Sequence, residues 1–301
     1  MLAVEQPHSS GRFHPAARGY RSTRRLRRFL KATITYALLC TASFIVLVPL
    51  IWMLSTSLKK QMDVYVFPPV WMPRPPQWQN YVTVMTTFRF PLYVLNTAFI
   101  TTNIVVGTLI SSSMAAYGFA RLRAPGRDAI FLALLATLML PHTVVIIPQF
   151  VLFKNLHWLD TVKPLVVPAF FGNIYRVFLL RQFLMTISAE LEDAARIDGC
   201  SSLQIYYRIM LPLARPALVA VALFAFVENW NDFMGPLIYL NSESKRTIAL
   251  ALAFYQGSTQ VGPQYHLLMA ASFVAIVPCL IVFCYAQRFF VQGLVFTGVK
   301  G

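Results

Sequence analysis

Acidic side chains are scarce in this sequence: 11 Asp+Glu against 26 Lys+Arg in 301 residues, a formal net charge of +15. Two groups of them could do chemistry. One is Glu228-Asn229-Trp230-Asn231-Asp232, inside a long apolar run. A charge at mid-bilayer costs about 2.5–3.5 kcal/mol on insertion scales, so ionisable residues there pair with neighbouring helices or face a watery path. Glu228 and Asp232 are four apart, so they are expected to share a helix face. That face offers carboxylates, amides and an indole ring to a polar solute, or hydrogen bonds to neighbouring spans; the residues weigh the two readings equally. The other group is Glu190, Glu192 and Asp193, just after Ser188. A serine followed by acids is a helix start, since both suit the unpaired N–H groups and the positive end of the dipole.

Other chemistries find no footing. There is no carboxylate pair with acid/base spacing and no nucleophile elbow. Cys40, Cys279 and Cys284 lie in apolar runs and Cys200 in a polar loop, without metal-type CxxC spacing. No G-x-x-x-x-G-K-[ST] occurs, nor any Gly-Lys dipeptide, so no Walker-type phosphate cradle is expected. No catalytic residue, bound cofactor or metal is assigned.

The elements that hold these groups are set by hydropathy. Hydrophobic residues make up 57% of the chain and charged ones 12%, against about 45–50% and 25% for soluble domains. The apolar residues gather into six runs, near 33–57, 92–119, 129–153, 162–184, 214–240 and 265–290. Each is long enough for about 30 Å of hydrocarbon at 1.5 Å per residue. The prolines inside them (Pro141, Pro148, Pro164, Pro168, Pro236 and Pro278) are tolerated in membranes when neighbours satisfy the freed carbonyls. The first run is too long for a signal peptide and lacks a small-residue cleavage site. The predicted fold is all-α: a polytopic membrane protein of six transmembrane helices. With the N-terminus inside, 18 of the 26 Lys+Arg fall on the inner side, so both termini are predicted cytoplasmic. The basic charge thereby reports orientation rather than nucleic acid. Residues 1–31, with eight Lys+Arg, form an Arg-rich tail expected to be poorly ordered, and residues 32–301 form the membrane domain. Arg176 is expected to reach the cytoplasmic interface; Trp52, Tyr93, Trp158 and Tyr239 are expected as interface anchors.

The longest internal polar loop, about 186–213, holds the second acidic group. Ser188 starts one short helix and Gly199 stops it, glycine taking the left-handed C-cap freely. Ser201 with Gln204 resembles a capping box for a second helix, which Pro212 is expected to end. Leu191, Ala194 and Ala195 share a face of the first helix, and the alanines let another protein surface approach closely.

This loop resembles the "EAA" coupling motif of bacterial ABC import permeases, EAA-x3-G-x9-I-x-L-P. It has Asp193-Ala194-Ala195, three residues, Gly199, nine residues, Ile209, one residue, then Leu211-Pro212. Every spacing matches; Asp193 stands where the motif has Glu. Ala115–Leu122, Leu179–Phe183, Asn229–Phe233 and the ending Phe290–Leu294 through Gly298–Gly301 resemble carbohydrate-importer permeases of the maltose MalG type. The resemblance runs from about residue 34 to the end. It implies an inner-membrane permease subunit carrying a carbohydrate or sugar derivative. It also implies partners: a second homologous permease, two ATP-binding subunits that use the ATP, and an extracytoplasmic solute-binding protein. The coupling residues would be Asp193, Ala194, Ala195, Gly199, Ile209, Leu211 and Pro212; the candidate pathway is Glu228–Asp232. Three alternatives remain: the same machinery with amino acids or peptides as cargo, an ion-coupled secondary transporter, and a membrane enzyme.

Overall fold

The computed structural model describes residues 17–87, 89–257 and 264–297, all helix, turn or loop. The C-terminal block from Phe290 lies outside the residues whose side chains are described. Two compact units divide the chain, Met1–Met53 and Leu54–Gly301. The described residues of the first belong to one helix, α1 (Ala17–Ser57). Its segment Arg28–Ser57 is apolar enough to cross a membrane. The Arg-rich stretch expected to be poorly ordered is helical from Ala17 onward, because Arg and Leu are good helix formers and the span supplies a nucleus for them to extend.

In the second unit a Pro-rich segment leads to α2 (Gln79–Thr87) and then to α3 (Phe90–Arg121), the central helix, against which α7, α11 and the α6 region pack. Helices α4 (Arg127–Ala136) and α5 (His142–Asn155) follow, then α6 (Lys163–Val166), which tightens into a 3-10 stretch over Val167–Phe171, and α7 (Ile174–Thr186). Beyond the polar loop come α11 (Arg215–Trp230), α12 (Met234–Tyr239), α13 (Ile248–Gly257) and α14 (Tyr265–Thr297). The loop itself carries α8 (Ala189–Ile197), α9 (Ser202–Ile205), a π turn (Tyr206–Met210) and α10 (Leu211–Leu213).

Among the described residues four stretches of helix are long and apolar enough to cross a membrane, and two bent pairs bring the number to six. The bends are sharper than proline kinks. The third run breaks by 102° between Arg127–Met139 and Thr143–Asn155. Leu140 is extended there, at φ −77°, ψ 119°, as steric conflict with the ring of Pro141 demands. The other bend, of 76°, lies at Ala214, where the helix of the polar loop, Ser202–Leu213, meets the start of the fifth run. A continuous helix would press the Pro216 ring onto the carbonyl of Pro212, so the chain turns one residue before α11 begins.

The core divides along α3. Toward its C-terminus Ala116 and Tyr117 join Val177, Leu180, Leu184, Ala195, Ile205 and Met210. Toward its N-terminus Phe90 and Tyr93 join Trp230, Ile248, Ala251 and Ala270. Between them α3 presents small and hydroxylated residues, which admit close backbones and supply hydrogen bonds where water is absent. Ser111 donates to the Ala169 carbonyl at 2.9 Å. Thr97 accepts from the Ile248 amide at 2.9 Å. A Cβ on Gly107 would lie 2.7 Å from the Phe170 ring. The irregular stretch through Pro168 and Gly172 is thus seated against α3, as non-helical backbone at membrane depth must be.

Candidate functional site

Two places bring the sequence-predicted residues together. The first is the polar loop. Ser188 accepts from the Glu190 amide at 3.3 Å and so caps α8. Gly199 has φ +85°, its amide donates to the Arg196 carbonyl at 3.0 Å, and the Cys200 amide returns to Ala195 at 2.9 Å. This closes the orphan carbonyls in the manner of a left-handed C-cap. Ser201 and Gln204 form the reciprocal capping box, at 3.4 and 2.7 Å.

The faces of α8 differ from the predicted ones. Ala195 does not share an outward surface with Ala194; it is buried in the core, with Glu192 one turn before it. The outward side carries Asp193, Ala194 and Ile197, and Ile197 is 87% exposed. The cause is Glu192. It turns inward to Arg196, at 2.8 Å, and toward Arg121 of α3, at 3.9 Å. Arg121 also donates to the carbonyls of Leu184 and Ile187 at the end of α7. A carboxylate within hydrogen-bond reach raises the pKa of the Arg196 guanidinium above its ordinary value. Arg121 belongs to the Ala115–Leu122 block, yet its role as the strut between α3 and this loop was not foreseen. An Arg at the end of a helix followed by Pro125-Gly126 was the available signal.

Pro212 does not end the second helix. Helical backbone continues through Leu211–Leu213, and the π turn Tyr206–Met210 gives the proline room. A π turn lets the chain pass a residue that lacks an amide N–H. Ile209 and Leu211 are half-buried along this segment. Leu203 and Tyr207, 68% and 70% exposed, add further apolar surface to the loop.

The second place is a cavity of about 420 Å³ bounded by α5, α6, α11 and α12. The helix predicted to run through residue 240 stops at Trp230 and restarts at Met234, so Glu228 and Asp232 do not share an uninterrupted helix face. Both nonetheless line the cavity, with Asn229, Gln149 and Tyr239. Asp232 turns back to accept from the Gly235 amide at 3.2 Å, satisfying the start of α12. A Cβ on Gly235 would lie 2.5 Å from that carboxylate and 2.9 Å from the Leu165 side chain, so a larger residue there would have to displace both side-chain tips. Trp230 faces the other way. It is buried, stacks on Phe226 and donates its indole N–H to the Ala275 carbonyl at 3.0 Å. Asn231 is exposed and bonds back to Val227 at 2.8 Å.

Arg176 corrects another expectation. It does not reach for the interface; it is buried and meets Glu228 at 2.5 Å. In low dielectric an uncompensated guanidinium is far costlier than a paired one. Tyr93 and Tyr239 are buried as well, Tyr239 against Phe153, rather than standing in an interface belt.

A third cluster had no forewarning in the sequence. Asp160, at φ 54°, accepts from the Asn241 and Ser242 amides at 3.0 and 2.9 Å, from the Ser242 hydroxyl and from Lys245 at 3.0 Å. These hydrogen bonds, led by the Ser242 hydroxyl, hold its carboxyl well below the usual carboxylate range. The α5–α6 and α12–α13 connections are thereby tied together. Among the described residues no group of three or more His, Cys, Asp or Glu is placed to hold a metal ion.

Residues 107–295 match the family described as binding-protein-dependent transport system inner membrane component. The chain is 39% identical over 206 residues to the arabinooligosaccharides transport system permease protein AraQ of Halalkalibacterium halodurans, covering 68% of this chain and 73% of that protein. It is 32% identical over 263 residues to the diacetylchitobiose uptake system permease protein NgcG of Streptomyces coelicolor, covering 87% and 86%. A crystal structure of a bacterial ABC transporter involved in importing the acidic polysaccharide alginate contains a chain of the same fold, with TM-score 0.78 and 24% identity over 93% of this chain and 100% of that one.

Proposed function

This chain belongs to the family of binding-protein-dependent transport system inner membrane components, and from that premise we propose that it is one of two paired permeases in an ATP-driven saccharide importer. The family consists of multi-pass transport subunits of the inner membrane, not of enzymes, with ATP hydrolysis in separate subunits. The cargo is assigned from the relatives, whose names specify arabinooligosaccharides and diacetylchitobiose. The membrane domain is residues 32–301, the Arg-rich tail is 1–31, and both termini are cytoplasmic. The partners are a second homologous permease, two ATP-binding subunits and an extracytoplasmic solute-binding protein.

One observation supports the coupling role above the rest: the loop from α8 through the π turn carries exposed apolar side chains, and α8 carries a buried ion-pair strut on its inner side. Ile197, Leu203 and Tyr207 are apolar groups that a partner would cover. Glu192 and Arg121 tie the same helix to α3, the centre of the bundle. A push on α8 would reach α3 through the Glu192–Arg121 ion pair and α7 through Ala195, which sits in the core with Leu180 and Leu184. Closure of the ATPase subunits on ATP would in this way swing the cavity at Glu228, Asn229 and Asp232 between the two sides of the membrane.

The test uses outward positions, because Ala195→Trp would disrupt the core. Ile197→Asp and Ala194→Trp in the complete complex should leave the chain in the membrane but abolish copurification of the ATPase subunits and ATP-dependent saccharide uptake in vesicles. Retention of both by both variants would reject the coupling role. Uptake driven by a proton or sodium gradient without ATP would reject the importer reading.

A further inference from the structure

The α11–α12 cavity has a polar group that the fold itself does not use. Glu228 gives an oxygen to Arg176. Asn229 donates to the Ala225 carbonyl of its own helix at 2.7 Å, and Asp232 accepts from the Gly235 amide at 3.2 Å. Gln149 lines the same cavity and is half-buried, yet it makes no side-chain hydrogen bond to any described residue. It stands on α5, in the bent third run, directly after Pro148. Its carboxamide carries two N–H donors and a carbonyl acceptor. At membrane depth an unpaired polar group is costly, so it meets a neighbour or faces a watery path. Gln149 has no neighbour of its own chain to meet, and it stands at the cavity wall.

The rest of the wall fits a sugar ring. Phe153 lies four residues on, on the same face of α5, and packs edge to face on Tyr239 with ring centroids 5.4 Å apart. Pro164, Leu165 and Pro168 line the cavity from the α6 stretch. Apolar walls with a few convergent polar groups are the pattern of a small-molecule site. A saccharide meets both parts: its C–H faces lie on the apolar wall, and its hydroxyls donate to the Gln149 carbonyl while accepting from the N–H groups. A solute that only donates or only accepts would leave half of the amide unmet. We propose that Gln149 is a specificity-determining contact through which this chain itself holds the saccharide in transit. This rests on the reading above that the cavity lies on the transport path.

The test uses the complete importer in vesicles with its binding protein, and as probe the better imported of diacetylchitobiose and an arabinooligosaccharide. Gln149→Leu removes the hydrogen bonds at similar size; saccharide imported per ATP hydrolysed should fall about three- to tenfold. Gln149→Asn, which keeps the amide, should recover part of that loss. A role in assembly alone would lower import and hydrolysis together and leave their ratio unchanged. A second arm does not depend on Gln149→Leu folding. In a complex whose other reactive thiols are replaced, Gln149→Cys should react with 2-hydroxyethyl methanethiosulfonate. The same saccharide, trapped with binding protein and a non-hydrolysable ATP analogue, should slow that reaction several-fold. An unchanged ratio in Gln149→Leu, or a thiol that the saccharide does not protect, would overturn this inference while ATP-driven import by the parent stands. A parent complex that imports neither saccharide with ATP would instead overturn the reading on which it rests.

Discussion

The polar loop and the α11–α12 cavity both turn on a glycine and a carboxylate, and they use them in opposite ways. At the loop, Gly199 is needed for its conformation: φ is +85° and a Cβ there would meet nothing within 4 Å. At the cavity, Gly235 is needed for its smallness, with Asp232 and Leu165 already where a Cβ would go. Glu192 at the loop is buried and answered by arginines of its own helix and of α3. Glu228 at the cavity is the exposed partner of a buried arginine. The loop is thus a locally specified shape with a strut added. The cavity is a tertiary arrangement whose members come from elements more than fifty residues apart.

The largest effect should come from separating the cavity's ion pair. Glu228→Leu leaves Arg176 buried without its carboxylate and should destabilise the assembled permease by about 2–4 kcal/mol. Arg176→Leu leaves the exposed partner able to find water and should cost about half that or less. Thermal melting of the purified complex compares the two; equal losses would show that the pair is symmetric in burial and undo the contrast drawn above.

The glycines should separate next. Gly235→Ala drives a methyl group into the Asp232 carboxylate and should cost about 1–3 kcal/mol, as overpacking does. Gly199→Ala has room and carries only the left-handed backbone term, about 1 kcal/mol. Gly199→Asn should recover part of that loss, because Asn tolerates the left-handed region, whereas Gly235→Asn should be worse than Gly235→Ala. Melting temperatures and membrane yields of the four variants measure this; rescue by Asn at 235 would mean that conformation, not space, decides there.

The smallest effect belongs to the Asp160 clamp. Its carboxyl titrates below the usual range in the folded chain, so the stability it adds is present above the unfolded value, near pH 3.9, and is lost as pH falls through the folded value. Asp160→Asn should melt a few degrees below the parent at pH 7, and the gap should narrow steadily as pH falls below about 4. A gap that widened in acid would reverse the sign and exclude the clamp as its source.

How far the molecule was legible follows from the range of each interaction. Six apolar runs, the Ser188 cap, the Gly199 stop and the Ser201–Gln204 box were all readable, because each is decided within a few residues by hydropathy, dipole or φ. The same local rules failed where they met packing. Local rules make Pro212 a helix end, yet the helix runs one residue past it, to Leu213, after a π turn. Sequence spacing puts Ala195 on one face with Ala194, but Glu192, paired with Arg121 71 residues earlier in the chain, turns inward together with Ala195 and leaves Ala194 outside. The run through Glu228 and Asp232 reads as continuous by hydropathy, and Pro236, whose ring would oppose the carbonyl of residue 232, is the local signal for the break near Asn231.

By itself, then, the sequence determined that the chain is helical and membrane-spanning, and that a capped, glycine-cornered loop carries the spacing of an importer's coupling segment. Those properties need only water, hydrocarbon and the nearest few residues to be decided. The tertiary structure alone determined that Arg176 answers Glu228, that Asp232 caps α12 beside Gly235, that Trp230 turns away from the cavity and that Asp160 ties two connections together. A charge or hydrogen-bonding group held away from water must find a partner wherever the fold brings one near, and only the packed bundle determines which groups meet.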